Sequence, residues 1–186
     1  PSGWGAIGYL VLVVICALFI DNANIRIIRA DVLYKQGLKF DQEGKWDGAI
    51  HFYGKALERA PQEDYYYLFR GRALMERAKI EADVQKRDAY FSEALAALVE
   101  ARKYSPLNTD HTANMARLYR SWGELDPDAN SRQQKFQLSL NYYAEAMKLS
   151  PHSAALTNEW GLVYYVLGDL DQNPWPLTSN SCRLIS

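Results

Sequence analysis

The chain has 186 residues, and its 21 Lys and Arg against 22 Asp and Glu give a formal net charge of −1. This balance excludes the strongly basic footprint of a nucleic-acid-binding domain, so no nucleic-acid partner is expected. Hydrophobic residues make up 48% of the chain, which is enough to bury a core. The two cysteines, Cys16 and Cys182, lie far apart and predict neither a disulfide framework nor a metal site.

The N-terminal segment is apolar. Residues 3–20 carry no charged side chain, and a helix of that length measures about 27 Å, close to the roughly 30 Å hydrocarbon core of a bilayer. This run predicts a single membrane-spanning helix over residues 1–22, followed by a linker over residues 23–30. Residues 3–20 would then contact the lipid bilayer or other transmembrane helices. The predicted membrane-anchor residues are Trp4, Tyr9, Leu12, Ile15 and Phe19.

Other interpretations of this run fit it less well. A secretory signal needs a basic region and a small-residue cleavage site, and a helix buried in a protein core should show polar positions. The chain begins Pro1-Ser2-Gly3 without a methionine, which indicates either processing or the tail piece of a longer protein. Basic residues after the run favour the cytoplasmic side for the rest of the chain, but spans upstream would override them. The side of the membrane is therefore undetermined.

An internal repeat follows. Three segments end on Pro61, Pro106 and Pro151, which are spaced 45 residues apart. Each segment places apolar residues at i, i+3, i+4 and i+7, which predicts an amphipathic helix that its proline terminates. Each has an aromatic residue, then a small residue, then an alanine at the same distances before its proline. These positions are Trp46, Phe91 and Phe136, then Ala49, Ala94 and Ser139, then Ala56, Ala101 and Ala146.

Each of these helices follows another predicted helix. In the upstream helices a Gly or Ala stands three positions before a large residue. The small residue allows two helices to approach closely, and the large one fills the neighbouring groove. The pairs are Gly37 and Phe40, Gly71 and Leu74, Ala116 and Tyr119, and Gly161 and Tyr164.

This pattern resembles the tetratricopeptide repeat (TPR) family. The first repeat matches the family signature at Gly37, Phe40, Gly44, Trp46, Ala49, Tyr53, Ala56 and Pro61. The resemblance implies an all-α chain in which the N-terminal transmembrane helix precedes a short TPR-like α-solenoid. The solenoid would cover residues 31–172, with three repeats and a capping helix, and residues 173–186 would form an irregular tail.

The later repeats are longer than the family period of about 34 residues. The extra residues fall between the paired helices, around 77–88 and 122–133. Helix-forming residues in the first insert predict longer helices around a short connection. Gly123 and Pro127 in the second insert predict a loop.

The resemblance also implies a concave groove, lined by the first helix of each pair, that binds a protein partner. Aromatic residues and arginine are common anchors in such surfaces. A second interpretation of the Tyr65–Tyr67 run is packing between repeats. By register, the predicted groove residues are Tyr34, Lys35, Leu38, Tyr65, Phe69, Arg72, Asn114, Arg117, Asn158 and Tyr165.

No catalytic constellation is visible. His51, His111 and His152 fall in different repeats, and the chain carries no zinc-protease, phosphate-loop or dinucleotide-binding motif. We therefore expect no enzyme activity, no cofactor and no metal.

The sequence thus predicts a membrane-anchored TPR scaffold that mediates protein–protein interaction as an accessory or assembly subunit of a larger membrane complex. A related hypothesis is a structural subunit of an energy-transducing or secretory complex. The alternative is a fragment of an enzyme. An apolar helix, a short polar link and a TPR tail resemble the C-terminal end of O-antigen ligase-like membrane glycan transferases, whose catalytic part would lie outside this chain.

Overall fold

The computed structural model describes residues 3–20 and 25–168, except for the side chains of Gly3 and Phe19. Within these ranges the secondary structure is α-helical. The helices are α1 Gly3–Ile20, α2 Arg26–Gln42, α3 Trp46–Arg59, α4 Asp64–Lys79, α5 Val84–Tyr104, α6 Thr109–Glu124, α7 Ala129–Leu149 and α8 Ala154–Leu167. Helices α2 to α8 form three helix hairpins followed by the first helix of a fourth. The predicted all-α solenoid of helix pairs is confirmed.

Small residues set the spacing within the hairpins. A Cβ atom at Gly37 of α2 would lie 2.6 Å from Cε1 of Tyr53 in α3, and one at Gly71 of α4 would lie 2.9 Å from Cγ of Leu98 in α5. Tyr53 and Leu98 are both buried. The first helix of each of these two pairs therefore uses glycine where a large side chain of the second helix packs against its backbone.

The repeat-closing prolines end the second helices as the sequence predicts. Pro61 follows α3 after the single capping residue Ala60, whose N–H donates to the carbonyl of Ala56 at 3.0 Å. The same arrangement closes α5 and α7, where Ser105 and Ser150 occupy the cap. The alanine found five positions before each proline therefore supplies the carbonyl that accepts the hydrogen bond of the capping residue.

The second helices of the second and third hairpins are longer than that of the first hairpin. Helices α5 and α7 have 21 residues each, whereas α3 has 14. Both inserts are absorbed into helices, and only residues 80–83 and 125–128 connect them. Helix α6 continues through Gly123, which packs against Phe136 and Lys135, and Pro127 directly precedes the helix-capping Asp128. The loop predicted over 122–133 is thus reduced to a short connection.

The extended hairpins are joined by an aromatic contact. The indole N–H of Trp122 donates to Oδ1 of Asp88 at 2.7 Å, and its ring stacks on Phe91 at 5.4 Å between centroids. Lys135 lies over the same indole, 4.8 Å from the ring centroid. These contacts connect α5, α6 and α7 and stabilise the edge of the solenoid away from the prolines.

The predicted membrane-spanning helix is wrong. Of the helices in the described ranges, none combines the length and the apolarity that crossing a bilayer requires. Helix α1 has 18 residues, at the short end of the range of about 17–25 residues for spanning helices. Its first turns hold glycines, Trp4 and Tyr9, which leave an unbroken apolar run only over Leu10–Ile20. The predicted membrane location and the transmembrane part of the predicted fold class are therefore wrong, and the lipid partner has no support.

The residues predicted as a membrane anchor lie along α1. Trp4, Tyr9, Leu12 and Ile15 are exposed, while the side chain of Phe19 falls outside the described part. Helix α2 begins at Arg26, inside the segment predicted as a linker over residues 23–30. The tail predicted over residues 173–186 lies outside the described residues, as does the end of the solenoid predicted at residue 172.

Candidate partner-binding groove

A concave cavity of about 400 Å³ opens between α4 and α6, the first helices of the second and third hairpins. It lies where the repeat register predicts the groove. The helices present one face each to the cavity, because residues three and four positions apart on a helix share a face. The lining residues are Tyr65, Leu68, Phe69, Arg72, Met75, Glu76, Lys79, Asp110, Asn114, Arg117, Arg120 and Ser121.

An aromatic cluster forms one end of this groove. Tyr65 contacts Phe69 at 4.6 Å and Tyr34 at 5.2 Å between ring centroids, and Tyr34 meets Phe69 edge-on at 5.3 Å. Tyr34 is buried, whereas 47% of Tyr65 is exposed. Tyr34 is therefore the buried member against which Tyr65 and Phe69 pack, and the ring of Tyr65 faces solvent in the groove.

The three consecutive tyrosines have different roles. Tyr66 is buried and its hydroxyl lies 3.4 Å from Oδ1 of Asp31. Tyr67 is half-buried and stacks on Tyr104 of α5. Only Tyr65 of this run lines the groove. Tyr66 and Tyr67 therefore pack between helices, whereas a binding role for Tyr65 stays a prediction.

The floor of the aromatic cluster is uncharged. Burial raises the pKa of Tyr34, and the neighbouring Tyr65 adds to the effect. Burial also raises the pKa of Tyr53 beneath the cluster. The pKa of Tyr66 is raised to about 12, mainly by burial and then by repulsion from Asp31 and Glu63. These phenols stay protonated at neutral pH and offer apolar rings for packing.

Arg72 is the cation beside this cluster. Its Cζ atom lies 5.2 Å from the centroid of the Phe69 ring, a cation–π geometry that holds the guanidinium over the aromatic surface. Arg72 forms no salt bridge with any residue in the described ranges. Asp41 lies close enough for the positive charge of Arg72 to affect its pKa. Burial raises the pKa of Asp41, while the hydroxyl of Tyr53, which donates at 3.2 Å, and Arg72 oppose that rise.

An ion pair closes the other end of the groove. Nε of Arg117 on α6 donates to Oε2 of Glu159 on α8 at 2.7 Å, and Nη2 donates to Oε1 at 3.0 Å. The hydroxyl of Tyr143 on α7 donates to the same Oε2 at 3.0 Å. Burial opposes the charge on Arg117, but Glu159 outweighs it and raises the pKa of the guanidinium. The ion pair between Arg117 and Glu159 is therefore bidentate and holds α8 against α6.

The other predicted groove residues are more dispersed. Lys35 is exposed and lies 3.7 Å from Asp31, and Leu38 packs against the core of the first hairpin. Asn114 lines the cavity, but it is only 5% exposed and its amide donates to the carbonyl of Asp110 at 2.8 Å. Asn158 and Tyr165 are exposed on α8. The cavity itself brings together Tyr65, Phe69, Arg72, Asn114 and Arg117.

Several lining residues do not appear among those predicted. Met75, Glu76 and Lys79 follow Arg72 at three, four and seven positions, and Arg120 and Ser121 follow Arg117 at three and four. This spacing is the helical period of the groove face itself. Extending the register by one more turn would have identified them from the sequence.

The face of α8 beyond the ion pair is apolar. Leu162 and Val166 follow Glu159 at three and seven positions, and therefore share its helix face. They are 45% and 46% exposed, and the neighbouring Tyr165 is 68% exposed. In the second and third hairpins the positions equivalent to Leu162 hold Arg72 and Arg117. The groove surface therefore changes from cationic to apolar towards α8.

Comparisons with solved structures assign the fold. The TPR domain of Arabidopsis OM64 superposes with a TM-score of 0.60 at 14% identity, over 76% of this chain and 98% of that one. The thermophilic TPR protein TTC0263 of Thermus thermophilus gives a TM-score of 0.62 at 19% identity, over 77% of this chain and 69% of that one. The first TPR of Spaghetti (RPAP3), solved with the HSP90 peptide SRMEEVD bound, gives a TM-score of 0.51 at 23% identity. The superposition covers 75% of this chain and 93% of that one.

These likenesses show that the described part of the chain has a TPR-type solenoid fold. No family model matches the sequence, and no curated protein matches it. The comparisons give no support to the resemblance to O-antigen ligase-like transferases.

Proposed function

We propose that this chain is a non-catalytic TPR scaffold that binds a segment of a partner protein in the groove lined by α4 and α6. In this role it serves as an accessory or assembly subunit of a larger complex. The observation that carries the proposal is a concave cavity of about 400 Å³ that holds the exposed ring of Tyr65 and the guanidinium of Arg72, both of which contact Phe69. In the described ranges, Arg72 has no acidic group within salt-bridge distance.

The two groups suit a polypeptide ligand. An exposed aromatic ring on a rigid support gives contact area at low entropic cost, and arginine adds a directional charged contact. Tyr34 and Phe69 hold Tyr65 in place before any partner arrives, so little ordering is needed on binding. The cavity opens along α4 and α6, which suits an extended or helical segment. The Spaghetti domain, solved with a bound HSP90 peptide, supports this interpretation by analogy.

Site-specific photo-cross-linking tests the proposal. A benzophenone amino acid is placed at Tyr65, in the groove, and in a matched variant at Val99, which is 45% exposed on α5. Both variants are expressed in the cells that naturally make the protein and are irradiated. We expect a discrete cross-linked partner from the Tyr65 variant that is absent from the Val99 variant.

Other cross-linking results would contradict the proposal. Cross-links of the same pattern and yield from both positions, or from Val99 alone, would contradict binding in the groove. A second variant that carries the Tyr65 cross-linker together with Arg72→Gln should show a lower yield of the same product, because it removes the charged contact without altering the helix.

A further inference from the structure

The cations of the groove are not equally available to a ligand. Four basic side chains line the cavity, namely Arg72, Lys79, Arg117 and Arg120. Lys79 pairs with Glu76 at 2.7 Å, and Arg120 pairs with Glu124 at 3.5 Å. Arg117 is held by Glu159 in two hydrogen bonds. Among the described residues, Arg72 alone of these four has no acidic partner within salt-bridge distance.

Glu159 occupies the place that a ligand carboxylate would otherwise take on Arg117. Its two oxygens accept from Nε and Nη2 in the fork geometry that arginine offers to any carboxylate. Tyr143 adds a third hydrogen bond to the same group. About 29% of the Glu159 side chain is exposed, so a second carboxylate brought near it would meet both repulsion and an already satisfied arginine.

The surface on either side of these charges is apolar. On one side, Tyr65 and Arg72 both contact the ring of Phe69. On the other side, Leu162, Tyr165 and Val166 extend along α8 beyond Glu159. Apolar side chains of a bound segment would be buried at both ends, and burying such groups favours a complex. One available cation between two apolar surfaces defines the complementary ligand.

We infer that the groove selects a mostly apolar segment with one acidic residue, placed over Arg72, and that Glu159 discriminates against segments with several acidic residues. This inference rests on the proposed function and names the partner class of the same groove. The acidic group would sit on Arg72, one apolar side chain would pack on Tyr65, and further apolar side chains would lie along Leu162 and Val166. Glu159 acts here as a specificity-determining residue.

Peptide selection on the full chain tests the inference. Random peptides of about twelve residues, displayed on phage, are selected against the wild type and three single variants. Arg72→Gln removes the available cation. Glu159→Gln releases Arg117 from its carboxylate and keeps a hydrogen-bonding side chain. Lys55→Gln removes a positive charge from exposed Lys55 on α3, whose partner is Glu58, and serves as the matched control. Circular dichroism and thermal unfolding verify that all four proteins are folded.

The expected selections differ between the variants. Wild type and Lys55→Gln should enrich peptides with a single Asp or Glu flanked by apolar residues. Arg72→Gln should lose the acidic preference and keep the apolar one. Glu159→Gln should gain peptides with two or more acidic residues. Replacing the acidic residue of a selected peptide by its amide should weaken binding to wild type by up to about fivefold, as expected for one charged contact. The same replacement should leave binding to Arg72→Gln unchanged.

The failures are distinguishable. Enriched peptides that bind with the same acidic preference to wild type and Arg72→Gln, or a Glu159→Gln variant with unaltered selectivity, would overturn the inference and leave groove binding intact. If no peptide is enriched on any of the four folded proteins, the inference is overturned together with the proposed function.

Discussion

Gly37 of α2 faces the ring of Tyr53 of α3 so closely that a methyl group at Gly37 would lie 2.6 Å from Cε1 and 2.7 Å from Cδ1. Tyr53 is fully buried and its hydroxyl donates to Asp41 at 3.2 Å. The ring therefore cannot move away without breaking this hydrogen bond. The contact sets the distance between the two helices of the first hairpin. Tyr34, which packs under the aromatic end of the groove, lies on one of these helices and contacts Tyr53 of the other.

Replacing Gly37 by alanine should therefore destabilise the protein. Overpacking a close-packed site costs about 1–3 kcal/mol, which exceeds the gain of about 1 kcal/mol in helix propensity. Gly54→Ala in α3 is the matched control, because nothing lies within 4 Å of its Cβ position. We expect a lower free energy of unfolding in urea for the first variant and a higher one for the second. An equal gain in both would contradict the close approach.

His111 connects the second and third hairpins. It is fully buried on α6, and its Nε2 lies 2.7 Å from Oδ2 of Asp64 at the start of α4. His111→Ala should lower the free energy of unfolding by about 2–4 kcal/mol, because it leaves a cavity and removes the partner of Asp64. His152→Ala, at an exposed position, should stay within about 0.5 kcal/mol of wild type. Comparable losses in both urea titrations would refute this role of His111.

Alkaline pH should destabilise the fold through its buried tyrosines. Burial raises the pKa of Tyr66 to about 12, whereas an unfolded tyrosine titrates near 10. The native state thus holds the proton more tightly, so the stabilisation is complete below about pH 10 and is lost as the pH rises towards about 12. Urea unfolding between about pH 9 and 12 should show this fall. Tyr66→Phe should flatten it, and an unchanged slope in that variant would argue against the assignment.

Acidic pH should destabilise the fold through Asp126. Burial alone would raise its pKa, but hydrogen bonds from Lys135, Ser131 and the N–H of Asp128 lower it to about 2. Because the unfolded carboxyl titrates near 3.9, the native state binds the proton less tightly. The stabilisation is present above about pH 4 and is lost as the pH falls towards about 2. Asp126→Asn should remove that part of the dependence. Parallel stability curves for variant and wild type over this range would contradict the prediction.

The fold was predictable where the sequence repeats. The spacing of Pro61, Pro106 and Pro151 and the small residues Gly37 and Gly71 define helix pairs, because each reflects a local steric requirement. The second insert was harder to predict. Gly123 and Pro127 favour a loop in isolation, yet the packing of Gly123 against α7 keeps the helix intact, so tertiary contact overrides local propensity.

The membrane prediction was wrong because it rested on the length of residues 3–20 and on their lack of charged side chains. Residues 3–20 lack charge, but the glycines and aromatic residues at the start of α1 shorten the unbroken apolar run to Leu10–Ile20. An uncharged segment is thus not equivalent to one long and apolar enough to cross a bilayer.

Part of the cavity lining was predictable from the sequence, but the pairing of its charges was not. Register placed Tyr65, Phe69 and Arg72 on one surface, since a repeat assigns each position to a face. It did not reveal that Glu159 neutralises Arg117 from 42 residues away. That pairing depends on side-chain geometry between two repeats, where the positions are not equivalent and no period applies.

The most direct test of the account maps a bound segment onto the folded chain. A peptide selected on wild type is titrated into isotopically labelled full-length protein, and amide and methyl shifts are followed by NMR. We predict that the shifts concentrate on α4 and α6 around Tyr65, Arg72 and Ser121 and extend to Leu162 of α8. Shifts that concentrate instead on the second helices α3, α5 and α7 would contradict binding in the groove.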